Sequence, residues 1–128
     1  MIEDICTFNR EVLEIKDRPL TLLSKDEFDY LIKAFNEEIT EVFTAHRKGN
    51  IVDFVDGVLD LCYFAIGGLY RAGLTPDQIT RCFNVIHAAN MQKKQGIQAK
   101  RGGKAVDAVK PEGWVPPERL ILNILEGK

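Results

Sequence analysis

The stretch VDGVLDLCYF, residues 55 to 64, decides how this chain is read. Eight of its ten residues are apolar or glycine; the other two, Asp56 and Asp60, are four apart. A helix stacks positions i and i+4 on one face, about 5–6 Å apart. Two carboxylates therefore lie side by side in a segment whose composition asks for burial. At an effective dielectric near 20 they repel by roughly 3 kcal/mol, and burial adds several kcal/mol per unpaired ion. No Lys or Arg follows within this helix until Arg71. Either the pair is protonated or a cation sits between them.

The surrounding sequence makes the segment part of a long helix, predicted from about 51 to 72. It is apolar on almost every side, which marks a central, buried helix. Gly57, Gly67 and Gly68 let neighbouring backbones approach closely. Before it, "SKDE" from Ser24 to Glu27 forms a capping box, and Phe28, Leu31, Phe35, Ile39 and Val42 recur at helical spacing. That predicts a helix over about 25–47, ended by the basic residues and glycine of "RKGN". After it, "TPDQ" starts a third core helix over about 76–95, with Thr75 as cap and Pro76 at the first helical position. A short helix near Phe8 to Ile15 precedes these. Residues 96–128 form a tail: a glycine- and proline-rich loop with a short hairpin around "KAVDAVK", then a short amphipathic helix opened by Pro117. The expectation is one all-α domain over residues 1–128, a helical bundle of four to five helices.

Composition narrows the function classes. With 128 residues the chain can bury a core, and a net charge of −2 gives no reason to expect nucleic acid or an anionic membrane. Three widely spaced cysteines, Cys6, Cys62 and Cys82, argue against a disulfide framework and a zinc site, and fit a reducing cytoplasm. The opening "MIEDICTFNREV" does not look like a secretory leader. The apolar run from Leu61 to Tyr70 is far short of the roughly 20 residues a spanning helix needs.

Each core helix carries polar residues on its apolar side. In the first, "EEITE" supplies Glu37, Glu38 and Glu41, with Glu38 on the stripe of Leu31, Phe35 and Val42. In the second, Asp53, Asp56 and Asp60 step down one face. In the third, Asn90 follows Phe83 and Ile86, with Lys93 and Lys94 one turn later. Ordinary explanations exist for several of these. An EExxE pattern is usually a solvated face, Asp53 complements the helix dipole, Asn90 suits a satisfied core amide, and His87 suits packing. Asp56 and Asp60 resist such explanations. If the first two core helices pair antiparallel across "KGNI", their acidic faces converge on a hard cation. Oxygen-only ligation favours Mg²⁺ or Mn²⁺. A di-iron bundle would want Glu-x-x-His pairs, and neither His46 nor His87 has a Glu three residues before it. Magnesium normally completes its shell with water and substrate phosphates, which gives Asn90, Lys93 and Lys94 a purpose.

In this order, "EEITE", "VDGVLDLCYFAIGGLYRAGL" and "IHAANMQK" resemble the all-α nucleoside triphosphate pyrophosphohydrolases of the MazG and phosphoribosyl-ATP pyrophosphohydrolase group. The tail "GKAVDAVKPEGWVPP" is similar to that of the group's short phage and bacterial members. The resemblance covers about Phe8 to Pro117. It implies a homodimer or homotetramer and Mg²⁺-dependent cleavage of the α–β phosphoanhydride of a nucleoside triphosphate, giving a monophosphate and pyrophosphate, as nucleotide-pool housekeeping. The family's first acidic motif falls on Glu38 and Glu41, with Glu37 adjacent; either Glu38 or Glu41 would position or deprotonate the attacking water. Its second motif, Glu-x-x-Asp, puts aspartate on Asp60 but glutamate on Gly57, a departure. The short members carry Asp-x-x-x-Asp, which Asp56 and Asp60 satisfy, and Asp53 with Asp56 is the competing alignment. The family's phosphate-contacting Asn and Lys fall on Asn90 and Lys93. Phe8, Asn9, Tyr63, His87 and Trp114 are base or sugar contacts by analogy alone, with Trp114 favoured as a packing anchor. Two other functions compete. One is a non-catalytic partner-binding module gripping through Leu120, Ile121, Ile124 and Leu125. The other is phosphoribosyl-ATP hydrolysis, ranked below the general activity because of the Trp114 tail and the weak second motif.

Overall fold

The capping signals start helices where their spacing predicts. Ser24 Oγ accepts from the Glu27 backbone N–H at 3.3 Å, and the Glu27 carboxylate accepts from Ser24 N–H at 2.8 Å. Asn50 Oδ1 accepts from Val52 and Asp53 N–H groups at 3.1 and 3.2 Å. Thr75 Oγ1 accepts from Gln78 N–H at 3.2 Å, and Gln78 Oε1 from Thr75 N–H at 3.0 Å. The protein is seen in a computed structural model that describes residues 1–103 and 105–128. Its helices are α1 (Ile2–Glu11), α2 (Lys25–Lys48), α3 (Ile51–Arg71), α4 (Pro76–Met91) and α5 (Glu118–Leu125). A two-stranded antiparallel hairpin, β1 (Lys94–Ile97) and β2 (Val106–Val109), lies between α4 and α5. The all-α class is as expected; the hairpin expected around "KAVDAVK" is present but pairs Val106–Val109 with Lys94–Ile97, and Lys104 of that stretch lies outside the described residues. The chain divides into two compact units, Met1–Ile79 and Thr80–Lys128.

In the first unit α2 and α3 pack along their length. Gly49, at φ +66°, reverses the chain within two residues, so the helices run antiparallel. Their contacts show the direction: Gly57 lies against Val42, and Gly68 against Leu31. A Cβ on Gly57 would come within 2.8 Å of Val42 Cγ2, and one on Gly68 within 2.9 Å of Leu31 Cδ2. α1 crosses α3 at Gly67, which the Asn9 amide touches.

Two boundaries differ from the sequence reading. The first helix spans Ile2–Glu11 rather than 8–15, because Ile5, Cys6 and Asn9 form a buried stripe one turn earlier than Phe8 suggested. The third core helix stops at Met91 rather than 95. Lys94–Ile97 is drawn into the hairpin, with Lys94 opposite Val109 and Ile97 opposite Val106. Any side chain at Gly96 would collide with Val109, so the residue that weakens the helix is the one the ribbon requires.

A third expectation fails more fully. α3 is not buried on every side. Only Gly57, Gly67, Gly68 and Tyr70 are buried along it, while Val52 is 72% exposed and Ile51, Val55 and Leu59 are open as well. Within the first unit, α1 and α2 are the helices that pack on α3, and among the described residues the rest of its apolar surface stays open. Asp56 is accordingly exposed, and Asp60 is half-buried.

The segment between α1 and α2 is strapped onto the end of α3. Tyr70 Oη donates to Asp17 at 2.9 Å, and Thr21 N–H donates to the Ala72 carbonyl at 2.9 Å. Arg18 holds Glu27 through two hydrogen bonds of 2.8 and 3.2 Å. The Arg18 guanidinium, helped by the Ser24 backbone, lowers the Glu27 carboxyl from 4.5 to about 2. A carboxyl depressed in the folded state stabilises above its unfolded value and loses that contribution as pH falls through its folded value. Glu27→Gln is therefore expected to flatten the acid side of the stability profile between pH 4.5 and about 2, read by thermal melts across that range. An equally steep loss in wild type and variant would refute the pair's role.

In the second unit, the Trp114 indole N–H donates to the Ala89 carbonyl at 2.7 Å, in keeping with its role as a packing anchor. Ile124 of α5 is buried, while Leu120 stays exposed.

Candidate active site

The approach of α2 to α3 at Gly57 brings Glu38 against α3. One of its carboxylate oxygens, Oε2, is buried and has no hydrogen-bond partner. Burial pushes the Glu38 carboxyl above its ordinary range, and the charges of Glu41, Asp60, Asp56 and Glu37 push it in the same direction. The sequence reading named all four of those residues, and the antiparallel pairing brings them within electrostatic reach of Glu38. A buried, partnerless oxygen among like charges is costly unless a proton or a cation compensates it.

The donor chemistry fits a hard cation: carboxylate oxygens alone, on two rigid helices. They do not form a ready-made cage. Among the described residues no three His, Cys, Asp or Glu side chains converge tightly enough to hold an ion by themselves. Asp53 stands apart in the first turn of α3, where Asn50 Nδ2 donates to its carboxylate at 2.6 Å.

A cleft of about 350 Å³ opens beside this group within the first unit. Glu38 and Asp60 line one part of it. Phe8 and Tyr63, packed edge to face at 5.5 Å, form an aromatic wall with Phe64, and Asn9 lies beside them. Asn9 is almost fully buried and spends one amide hydrogen on the Ile5 carbonyl at 2.9 Å. Tyr30, Leu31 and Arg71 line the cleft as well. The sequence reading missed these three. Tyr30 and Leu31 look like ordinary helix positions, but Arg71 carried a signal, as the first basic residue after a run of twenty-two without one.

The remaining candidates lie in the second unit. Lys93 Nζ donates to Asn90 Oδ1 at 2.7 Å and sits 5.1 Å from the centre of the Trp114 ring. Lys110, not singled out from the sequence, lies over the same ring at 4.6 Å. Lys94 is exposed at the start of β1. His87 stacks on Phe83, with ring centres 6.3 Å apart. No helix among the described residues is long and apolar enough to cross a membrane.

Comparison with curated proteins gives no match. A family model described as phosphoribosyl-ATP pyrophosphohydrolase matches residues 6–90. The matched span runs from α1 through nearly all of α4 and includes both acidic segments and the whole cleft. It backs the activity ranked lower on sequence grounds better than the general one. Covering about two-thirds of the chain, the match shows that this protein belongs to the phosphoribosyl-ATP pyrophosphohydrolase family, within the wider MazG-like group.

Proposed function

We propose that the protein hydrolyses the α–β phosphoanhydride of a nucleoside triphosphate, releasing pyrophosphate, and we place phosphoribosyl-ATP first among substrates because the matching family model carries that name. The observation that carries the reading is Glu38: a buried oxygen without a partner, raised in pKa and surrounded by Glu37, Glu41, Asp56 and Asp60. Glu38, Glu41, Asp56 and Asp60 would hold Mg²⁺ or Mn²⁺, with Glu37 adjacent. When bound, the ion neutralises phosphate charge and acidifies a coordinated water.

The protein's own groups do the rest. Glu38 or Glu41 orients the attacking water and takes its proton; burial and like charge raise the basicity of Glu38 for that task. The aromatic wall of Phe8 and Tyr63 stacks a base and keeps bulk water from the anhydride. In the second unit, Asn90 aims the Lys93 ammonium and the Trp114 face steadies it, which suits the pair to grip a phosphate, with Lys94 and His87 nearby in sequence. Exposed apolar stripes, Ile39 with Phe43 on α2 and Val52 with Val55 and Leu59 on α3, support self-assembly as a dimer or tetramer. Light scattering at micromolar concentration tests that, and a monomer would refute it.

The activity test is a substrate panel. Phosphoribosyl-ATP, ATP and the canonical and modified dNTPs are assayed for pyrophosphate with Mg²⁺ and with Mn²⁺. Turnover fastest on phosphoribosyl-ATP is the expected result, and turnover confined to dNTPs would restore the broader reading. No turnover, with no calorimetric heat from Mg²⁺ and a non-hydrolysable nucleotide, would leave a non-catalytic binding module.

A further inference from the structure

The cleft is chemically two-ended. Glu38 and Asp60 line one end, whereas Arg71 stands eleven residues beyond Asp60 on the same helix, about 16 Å at the helical rise; the other lining carboxylate, Glu27, lies toward that second end and is paired with Arg18. Arg71 is half-buried, and its guanidinium carbon lies 5.3 Å from the centre of the Tyr30 ring. Tyr30 is itself a lining residue. The neighbouring arginine, Arg18, is committed to Glu27 by two hydrogen bonds. Among the described residues Arg71 has no carboxylate within ion-pair distance. An aromatic face orients a guanidinium without neutralising it, so Arg71 presents a fixed positive charge and a planar fork of donors to the cleft. That fork matches a phosphate monoester.

We propose that Arg71 binds a second anionic group on the substrate, a sugar phosphate at the opposite end of the base from the triphosphate. This rests on the reading of the acidic end as the site of phosphoanhydride cleavage. The aromatic wall between the ends takes the base. A nucleotide whose base carries an additional phosphorylated ribose has anionic groups at both ends; a simple nucleoside triphosphate has them at one. Arg71 is thus a specificity-determining residue, and Tyr30 positions it.

The test compares phosphoribosyl-ATP with ATP in wild type, Arg71→Gln and Arg71→Lys. Arg71→Gln is expected to raise KM for phosphoribosyl-ATP by about tenfold or more, the usual worth of a charge-assisted hydrogen bond, leaving kcat and both constants for ATP nearly unchanged. Arg71→Lys keeps the charge but loses the fork, so it recovers part of the affinity. A readout without turnover uses calorimetry in EDTA with phosphoribosyl-AMP and AMP as probes. Wild type is expected to prefer the former, and Arg71→Gln to erase the preference. Unchanged preference in Arg71→Gln, equal losses for both substrates, or a wild type indifferent to the additional sugar phosphate would each overturn the proposal. If the preference depends on Arg71 but no pyrophosphate is released, the activity fails and the Arg71 site stands. Efficient release with no Arg71 effect is the reverse.

Discussion

Replacing Asp60 with Asn is expected to lower Mg²⁺-dependent pyrophosphate release by about 10²-fold or more, the loss typical of removing one group that stabilises charge in a transition state. The substitution preserves shape and removes one negative charge from the group around Glu38. Stability separates this role from a packing role. Without metal, the variant relieves repulsion and should melt no lower than wild type. With millimolar Mg²⁺, wild type should gain melting temperature through binding to the folded state, and Asp60→Asn should gain less. Glu38→Gln is expected to follow the same pattern. Near wild-type turnover in either variant would remove that residue from the site. Lost activity together with a lower melting temperature in EDTA would assign it to folding instead.

The largest expected effect on stability lies away from the carboxylates, at Gly73. Its φ is +94°, and a Cβ there would sit 2.7 Å from the carbonyl oxygens of both Arg18 and Pro19. These are backbone atoms of the strap, which cannot rotate away as a flexible side chain would. Backbone strain of about 1–3 kcal/mol combines with an overpacking cost of similar size, so Gly73→Ala should destabilise by roughly 3 kcal/mol or more. For a chain of this length that is a fall in melting temperature of about 10 °C. Gly49→Ala is the control. It also has positive φ, +66°, but nothing lies within 4 Å of the added carbon, so only about 1–2 kcal/mol is expected. Equal melting temperatures for the two variants would show that the strap does not press on Gly73. A loosened strap also reaches the cleft, since Leu13 and Leu23, at its two ends, line it.

Much of this was legible in local chemistry. Ser24 with Glu27 and Thr75 with Gln78 placed two helix starts, because a cap satisfies backbone groups within three residues of itself. The spacing of Glu38 and Glu41, and of Asp56 and Asp60, placed the carboxylates on common helix faces for the same reason: helical periodicity is a property of the chain alone. The convergence of those faces followed from a two-residue turn that leaves no geometry but an antiparallel pair. The family resemblance rested on this order of motifs, and the match over residues 6–90 agrees with it.

What the tertiary structure decided was which surfaces meet. Composition made α3 look buried on all sides, yet apolarity states only what a helix prefers, and a single chain leaves Val52, Val55 and Leu59 open. The end of α4 turned on Gly96 fitting beneath Val109, a contact across the hairpin that no local window contains. Glu38 differs from Glu41 because backbones separated by some twenty residues approach closely at Gly57, burying one carboxylate oxygen and not its neighbour's. Arg71 acquires its meaning from Tyr30 and from an acidic end eleven residues away. Periodicity and capping act over one or two turns and can be read along the chain; burial, clefts and charge placement depend on long-range packing, which only the folded arrangement specifies.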